Sequence, residues 1–168
     1  MENLYVPNCI RTFSGIYMNV FEPTLDMICI EDIAHSLSQQ CRFGGHLPTF
    51  YSVAQHSILS SYLVPDENRL AALMHDSSEA YLLDMPKPIK VGLDKYNELE
   101  YNLMSLISTK FGFKFPLHPR IKQADKTMLE VEWNQIMLQQ QDGIIEILTI
   151  KAAKKEFLRL FKLYTENK

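Results

Sequence analysis

The chain lacks any cysteine pair in CxxC spacing. Its three cysteines, Cys9, Cys29 and Cys41, leave an odd count, which argues against a disulfide framework or a zinc ribbon and favours a reducing compartment. It also lacks clustered basic charge: Lys and Arg are scattered and the formal net charge is -3, so no electropositive surface for duplex nucleic acid is expected. An anionic small molecule is compatible wherever a local site supplies the positive charge. The opening "MENLYVPNCI" has neither the basic nor the apolar region of a secretory leader, and no apolar run approaches the roughly eighteen residues of a membrane span. The expectation is a cytoplasmic protein without membrane partners. Repeats, low-complexity tracts and Gly/Ser/Pro-rich linkers are also missing, so one domain over residues 1–168 is the simplest organisation. What is present is an ordinary globular mixture, 46% hydrophobic and 22% charged, long enough to bury roughly two thirds of its unfolded surface.

Most of the chain carries helical periodicity. Aromatic and β-branched residues in "TFSGIYMNVFEPTLDMICI", with alternation around Met27–Ile30, predict short strands or extended segments at the N-terminal end. From "EDIAHSLSQQC" the period becomes helical, with Ile33, Ala34, Leu37 and Cys41 on one face, until Gly44, Gly45 and Pro48 break it. A helix through "FYSVAQHSILSSYLV" stops at Pro65, and Asp66 is placed to cap the next, over about residues 67–83. After the Pro-punctuated "DMPKPIK", "GLDKYNELEYNLMSLISTKFG" reads as a helix with Tyr96, Leu99, Leu103, Leu106 and Ile107 inward and Gly112 as its terminator. "RIKQADKTMLEVEWNQIM" follows with Ile121, Ala124, Met128 and Leu129 on its stripe. A last amphipathic helix, "TIKAAKKEFLRLFKLYTENK", has its lysines on the wet side. The predicted class is an all-α helical bundle with a small extended, β-like N-terminal appendage.

Ionisable residues stand where such helices usually place apolar ones. In "LAALMHDSSEAYLLDMPKPIK", Leu70, Leu73, Met74 and Tyr81 share one side of a helix while His75, Asp76 and Glu79 occupy an opposite arc together with Ala72 and Leu83. Adjacent His75 and Asp76 can turn toward one point and offer a nitrogen and an oxygen to a divalent metal. The plainer alternative has His75 bonded to a core carbonyl and Asp76 paired with a lysine. Asp125 stands among Ile121, Ala124, Met128 and Leu129, and a buried acid needs an arginine, backbone amides or a metal. His56 is embedded in an apolar helix, where a satisfied core histidine is the alternative. Together, His56, His75, Asp76 and Asp125 offer two imidazoles and two carboxylates in the order His, His-Asp, Asp, a far more specific pattern than any one of its parts.

On these residues the chain resembles the HD-domain superfamily of metal-dependent phosphohydrolases, whose signature is H…HD…D on a helical bundle. It is most similar to the bacterial 5'-deoxynucleotidases and the phage dNTP triphosphohydrolases. "HDSSEAYLLDMPKPIK" carries that branch's His75, Asp76, Glu79, Asp84, Pro86, Pro88 and Lys90, departing at Leu83 where the branch often has Gly, and "VAQHS" matches the segment around its first histidine. The resemblance covers about residues 40–135 and implies one divalent ion, manganese, cobalt, iron or zinc, held by His56, His75, Asp76 and Asp125. It implies Glu79 as general acid/base, and Asp84 as a group that orients the nucleophile or accepts a sugar hydroxyl, with a helix-end cap as the rival role. Arg42, Phe43 and Lys87 are the expected substrate contacts. Arg42-Phe43 is similar to the branch's Arg-aromatic pair, and Arg42 supplies a bidentate fork for phosphate.

The expected activity is hydrolysis of deoxynucleoside 5'-monophosphates. Release of triphosphate from dNTPs and nucleotide binding without turnover are the alternatives, and a homodimer is implied only by analogy. His46 is expected in a flexible loop, with His35 and His118 structural or at the surface. Phe43 and Trp133 offer faces for a base, although aromatics at helical spacing usually belong to a core.

Overall fold

The structure, a computed structural model, describes residues 6–140 and 145–166. Strands β1 (Cys9–Arg11) and β2 (Tyr17–Asn19) pair antiparallel, Cys9 opposite Asn19 and Arg11 opposite Tyr17. A two-stranded ribbon has little stability of its own, and this one is pinned to the helix α1 (Ile30–Gln39) that follows. The Ser14 amide and hydroxyl donate to the buried Asp32 carboxylate at 2.6 and 2.7 Å, and Phe13 stacks on His35 with centroids 3.9 Å apart. The extended stretch expected around Met27–Ile30 is only Ile28–Cys29, between a 3-10 turn at Leu25–Met27 and the start of α1. The strands lie earlier.

Seven further helices complete the described residues: α2 (Val53–Tyr62), α3 (Asp66–Leu73), α4 (Glu79–Leu82), α5 (Lys87–Lys90), α6 (Asp94–Phe111), α7 (Pro119–Glu132) and α8 (Ile150–Glu166). The all-α class with a small sheet appendage is therefore what the chain forms. α2 lies at the centre, against α1, α3, α7 and α8. Its sequence allows this because VAQHSILSSY has no Lys, Arg, Asp or Glu and mostly small side chains, so it is buried on nearly every side. Ser52 caps it, accepting from the Gln55 amide at 3.1 Å. Gln55 itself is buried and satisfied, donating to the Glu146 carbonyl and accepting from the Leu148 amide. Around α2 the main core gathers Ile33, Leu37, Leu73, Met74, Leu103, Ile107, Phe157 and Leu160. Each such side chain stabilises the fold by roughly 1.5–3 kcal/mol relative to exposure.

The helix expected over residues 67–83 is two helices. Between α3 and α4, residues 74–78 form turns in which the Ser77, Glu79 and Ala80 amides bond carbonyls three residues back. A physical cause is visible in His75, whose ring Nδ1 takes the Ala72 carbonyl at 2.7 Å. Asp66 is the first residue of α3 rather than its cap; Pro65 holds the cap position and Asp66 pairs with Arg69 at 3.1 Å. Cys41 lies beyond α1, bridged to Ser52. Gly112 ends α6 in the left-handed conformation, as expected. α7 buries Ile121, Ala124 and Met128, while Leu129 is exposed, and a π turn over Trp133–Met137 prolongs it. α8 buries Ala153, Phe157 and Leu160; the predicted last helix also took in residues 167–168, which lie outside the described residues. No helix of the described residues is long and apolar enough to cross a membrane.

Candidate metal centre

α2, the turn after α3, and α7 meet at one point. His56 projects from α2, His75 and Asp76 from the 74–78 turn, and Asp125 from α7. The two imidazole Nε2 atoms are 3.2 Å apart. Asp125 Oδ1 lies 3.1 Å from His56 Nε2 and 3.8 Å from His75 Nε2; Asp76 Oδ2 lies 3.7 Å and 3.2 Å from the same two atoms. One ligand atom from each of His56, His75 and Asp125 falls within 4.8 Å of the others, so these three could hold a metal ion.

The opposite edge of each ring fixes what faces inward. His75 Nδ1 must carry its proton, because its partner, the Ala72 carbonyl, can only accept. His56 Nδ1 sits 2.6 Å from Glu132 Oε1, a carboxylate that accepts. In the neutral tautomers both Nε2 atoms are therefore lone pairs. Two lone pairs and two carboxylate oxygens point at one space with no donor among them, an arrangement that repels itself until a cation or a proton enters. Asp76 Oδ2 is buried with no hydrogen bond. This donor set fits a borderline divalent metal, and the Glu132–His56 contact is the outer-shell hydrogen bond that orients a ligating imidazole. The plainer reading of His75, bonded to a core carbonyl, holds for one edge of the ring only.

Titration reflects the same crowding. For His56, burial and Arg42 pull the pKa down, but Glu132 and the hydrogen bonds to Asp125 and Glu132 prevail and raise it to about 9. Burial pushes Asp125 up, yet hydrogen bonds from the two histidines hold its carboxyl well below the usual range. Its side chain is 45% exposed, so the acid expected to be buried stands at a mouth open to solvent.

Glu79, at the start of α4, is buried, and its Oε2 has no hydrogen-bond partner. Burial, with Asp76 and Asp84 as neighbours, pushes its pKa well up. Burial and Asp76 also raise Asp84, against the pull of Arg42. Gln40, just past α1, positions both segments: its Nε2 donates to the Glu79 carbonyl at 2.9 Å, and its Oε1 accepts from the Asp84 amide at 2.9 Å. Asp84 is thus held by its backbone, and no helix-cap bond of its carboxylate is seen among the described residues.

Arg42 is nearly buried and already engaged, donating to Glu132 Oε2 at 3.3 Å and lying 3.8 Å from Asp84 Oδ2, with its Nε unpartnered. It counters four carboxylates, those of Glu132, Asp76, Asp84 and Glu79, rather than standing free as a fork. Phe43 follows it in the left-handed region (φ 55°), close to Trp133. Lys87 is exposed at the start of α5, and Lys90, one turn on, lines the cavity containing His75 and Asp76, in an ion pair with Glu100. His46 is exposed in its loop. His35 is held by Phe13, Gln39 and Lys154, and His118 caps α7 by accepting from the Arg120 amide.

Sequence reasoning missed Glu132 and Tyr51. Glu132 is completely buried and joins His56, Arg42 and the Tyr51 hydroxyl, which donates to Oε1 at 2.9 Å. The available signal was spacing: Asp125, Met128 and Glu132 are i, i+3 and i+7 on one helical face.

No protein-family model matches the chain. It is 46% identical over 123 residues to YfdR of Escherichia coli K12, covering 73% of this chain and 69% of that one. The chain belongs to the YfdR family. It is also 37% identical over 140 residues to RCAP_rcc00048 of Rhodobacter capsulatus, across 75% of this chain and 71% of the relative. Both relatives are described only as uncharacterized proteins, so the chemistry of this YfdR-family member is argued from its own side chains.

Proposed function

We propose that the chain is a metal-dependent phosphohydrolase of the HD type that removes phosphate from nucleotides, with deoxynucleoside 5'-monophosphates as the preferred class. One observation supports the reading: the Nε2 atoms of His56 and His75 and carboxylate oxygens of Asp76 and Asp125 gather from three parts of the chain, each carboxylate oxygen 3.1–3.8 Å from both nitrogens. This is the H…HD…D set that the sequence resemblance assigns to an ion. Manganese, cobalt, iron and zinc suit two imidazoles and two carboxylates.

An ion held there would polarise a phosphoryl oxygen and lower the pKa of the attacking water. The chain's own groups supply the rest. Glu79, desolvated and unpartnered at Oε2, is a stronger base than an exposed glutamate, suited to take the proton of the attacking water and return it to the departing 5'-oxygen. Water oxygen bonds phosphorus, the ester bond breaks, and nucleoside and inorganic phosphate leave. Arg42 offsets the negative charge of Asp84 and Glu132 beside that space, and Lys90 lines the adjoining cavity, which contains His75 and Asp76.

The test is a chelator-treated protein reconstituted with each metal in turn and supplied with dNMPs and dNTPs. Free phosphate from monophosphates is expected, and none from the His75→Ala protein. Tripolyphosphate from dNTPs would replace the monophosphatase by a triphosphohydrolase. Activity that survives His75→Ala would remove the proposed centre.

A further inference from the structure

A cavity of about 520 Å³ opens where α7 runs into the π turn, lined by Phe43, Leu129, Glu130, Trp133 and Asn134. Its volume lies within the roughly 300–1,000 Å³ of small-molecule sites. Both walls are tied to the cluster. Asp125, Leu129 and Trp133 are i, i+4 and i+8 along one helical face, and that strip is open: Leu129 is 40% and Trp133 44% exposed. Helical side chains lean toward the helix N-terminus, the direction in which Leu129 and Asp125 lie from Trp133. The π turn begins at Trp133, with the Leu138 amide bonded to the Trp133 carbonyl. Such insertions concentrate at functional sites.

The opposite wall, Phe43, directly follows Arg42. A bulky residue at φ 55° is strained, and strain of this kind persists where the surroundings enforce it, often at ligand sites. The two rings are 6.1 Å apart and tilted by 41°, so they are not stacked on each other. Glu130 and Asn134 on the rim offer hydrogen-bonding groups to the edge of a planar ligand. The cavity on the α6 side is smaller, about 270 Å³, and includes Asp76 and the Lys90–Glu100 pair; its rings, Tyr101 and Phe115, already pack together. Its charge suits the phosphate end of a substrate, whereas the Phe43–Trp133 cavity suits an aromatic end.

Resting on the nucleotide phosphohydrolase reading, we infer that the Phe43–Trp133 cavity is the base subsite: the purine or pyrimidine ring lies against Trp133, Phe43 forms the second wall, and the phosphate reaches the metal cluster. Stacking on an aromatic face accepts every base. This subsite therefore confers affinity for nucleotides over simple sugar phosphates without choosing one base.

Trp133 is the only tryptophan in the chain, so its emission reports on this wall alone. In the zinc-loaded Glu79→Gln protein, dAMP is expected to quench that emission saturably, while deoxyribose 5-phosphate, which has no base, leaves it unchanged. In otherwise unaltered protein, Trp133→Ala is expected to raise KM for dAMP about tenfold or more, Trp133→Phe to restore most of the loss, and KM for deoxyribose 5-phosphate to stay the same. Hydrolysis of dAMP with unmoved Trp133 emission, or an unaltered KM in Trp133→Ala, overturns the subsite and leaves the hydrolase standing. If no phosphate ester is hydrolysed with any metal, the hydrolase reading falls and the emission titration still decides the subsite: quenching by dAMP but not by the sugar phosphate supports it, and no quenching overturns it.

Discussion

Glu132 shows how much depends on one side chain. It has no exposure and meets His56, Tyr51 and Arg42 at once. Burial pushes its carboxyl up, but His56 and Arg42 outweigh this and hold it below the usual range. Glu132→Gln keeps the volume and removes the charge that orients His56. The expected result is a 10–100-fold weaker affinity for cobalt, read from the visible absorbance of the cobalt-loaded protein, with unchanged far-UV dichroism. An unaltered affinity would show that His56 needs no carboxylate behind it. Glu79 predicts the reverse separation: Glu79→Gln should keep cobalt binding and lose about 10²–10⁴-fold in phosphate release, and equal losses in both would make it a ligand rather than a proton carrier. The clustering of His56, His75 and Asp125 was legible in the sequence because an apolar helical face rarely carries an imidazole or a carboxylate unless a partner compensates its loss of water. Glu132, Tyr51 and Gln40 were not, since hydrogen-bonding residues become meaningful only once tertiary packing sets them opposite a partner. Nor was the cavity-lining Lys90: the Pro86-Lys87-Pro88 segment starts a helix that turns Lys90 inward and leaves Lys87 in solvent.

Among the elements, the segment from α3 to Asp84 departs most from its sequence pattern. Helical periodicity continues through Leu70–Leu82, and a uniform helix would have set His75, Asp76 and Glu79 along one arc. The actual chain tightens over residues 74–78, where His75 captures the Ala72 carbonyl. Side-chain competition for backbone groups is invisible to an apolar-period reading; α1, α2, α6 and α8 tolerate Ser and Thr hydroxyls on carbonyls three or four residues back and form close to where their pattern places them. After α4, Leu83 adopts φ 72°, a left-handed conformation rare for leucine at a position where the resembling family often has Gly. Gln40 fastens this strained corner to the end of α1. Gln40→Leu would leave the Asp84 amide without its acceptor, at a cost of about 1–3 kcal/mol. The melting temperature should fall by about 3–10 °C. Phosphate release should fall as well, because Glu79 and Asp84 lose a shared anchor. A variant that melts like the wild type would show that Pro86 and Pro88 alone hold the corner.

Across the whole molecule, the candidate metal cluster is a junction between distant segments. His56 lies on the central α2, His75 and Asp76 follow α3, and Asp125 lies on α7, which packs on both α2 and α3. The contact between α3 and α7 rests on a small second cluster of Val64, Ala71, Ala72, Ile121 and Ala124. These side chains are mostly small, so each buries little area and contributes little stabilisation. Without a cation, a proton on His56 Nε2 bridges to Asp125 on α7; a bound cation would replace that proton and join groups from α2, α7 and the 74–78 turn at once. Ligand that binds only the folded state adds RT ln(1 + [L]/Kd), about 2.7 kcal/mol at a hundred times Kd. For a domain of this size the melting temperature should rise by about 5–10 °C on loading with manganese or zinc, and chelator should reverse the rise. His56→Ala should abolish the difference between loaded and chelated protein. It should also melt lower in both states, because the buried Glu132 carboxylate then lacks its imidazole partner. Hydrogen exchange should place the metal-dependent protection in α7 and the 74–78 turn, with α8 unchanged. Protection that rises evenly over all helices would mean that the ion stabilises the fold as one cooperative unit instead of closing the α3–α7 seam.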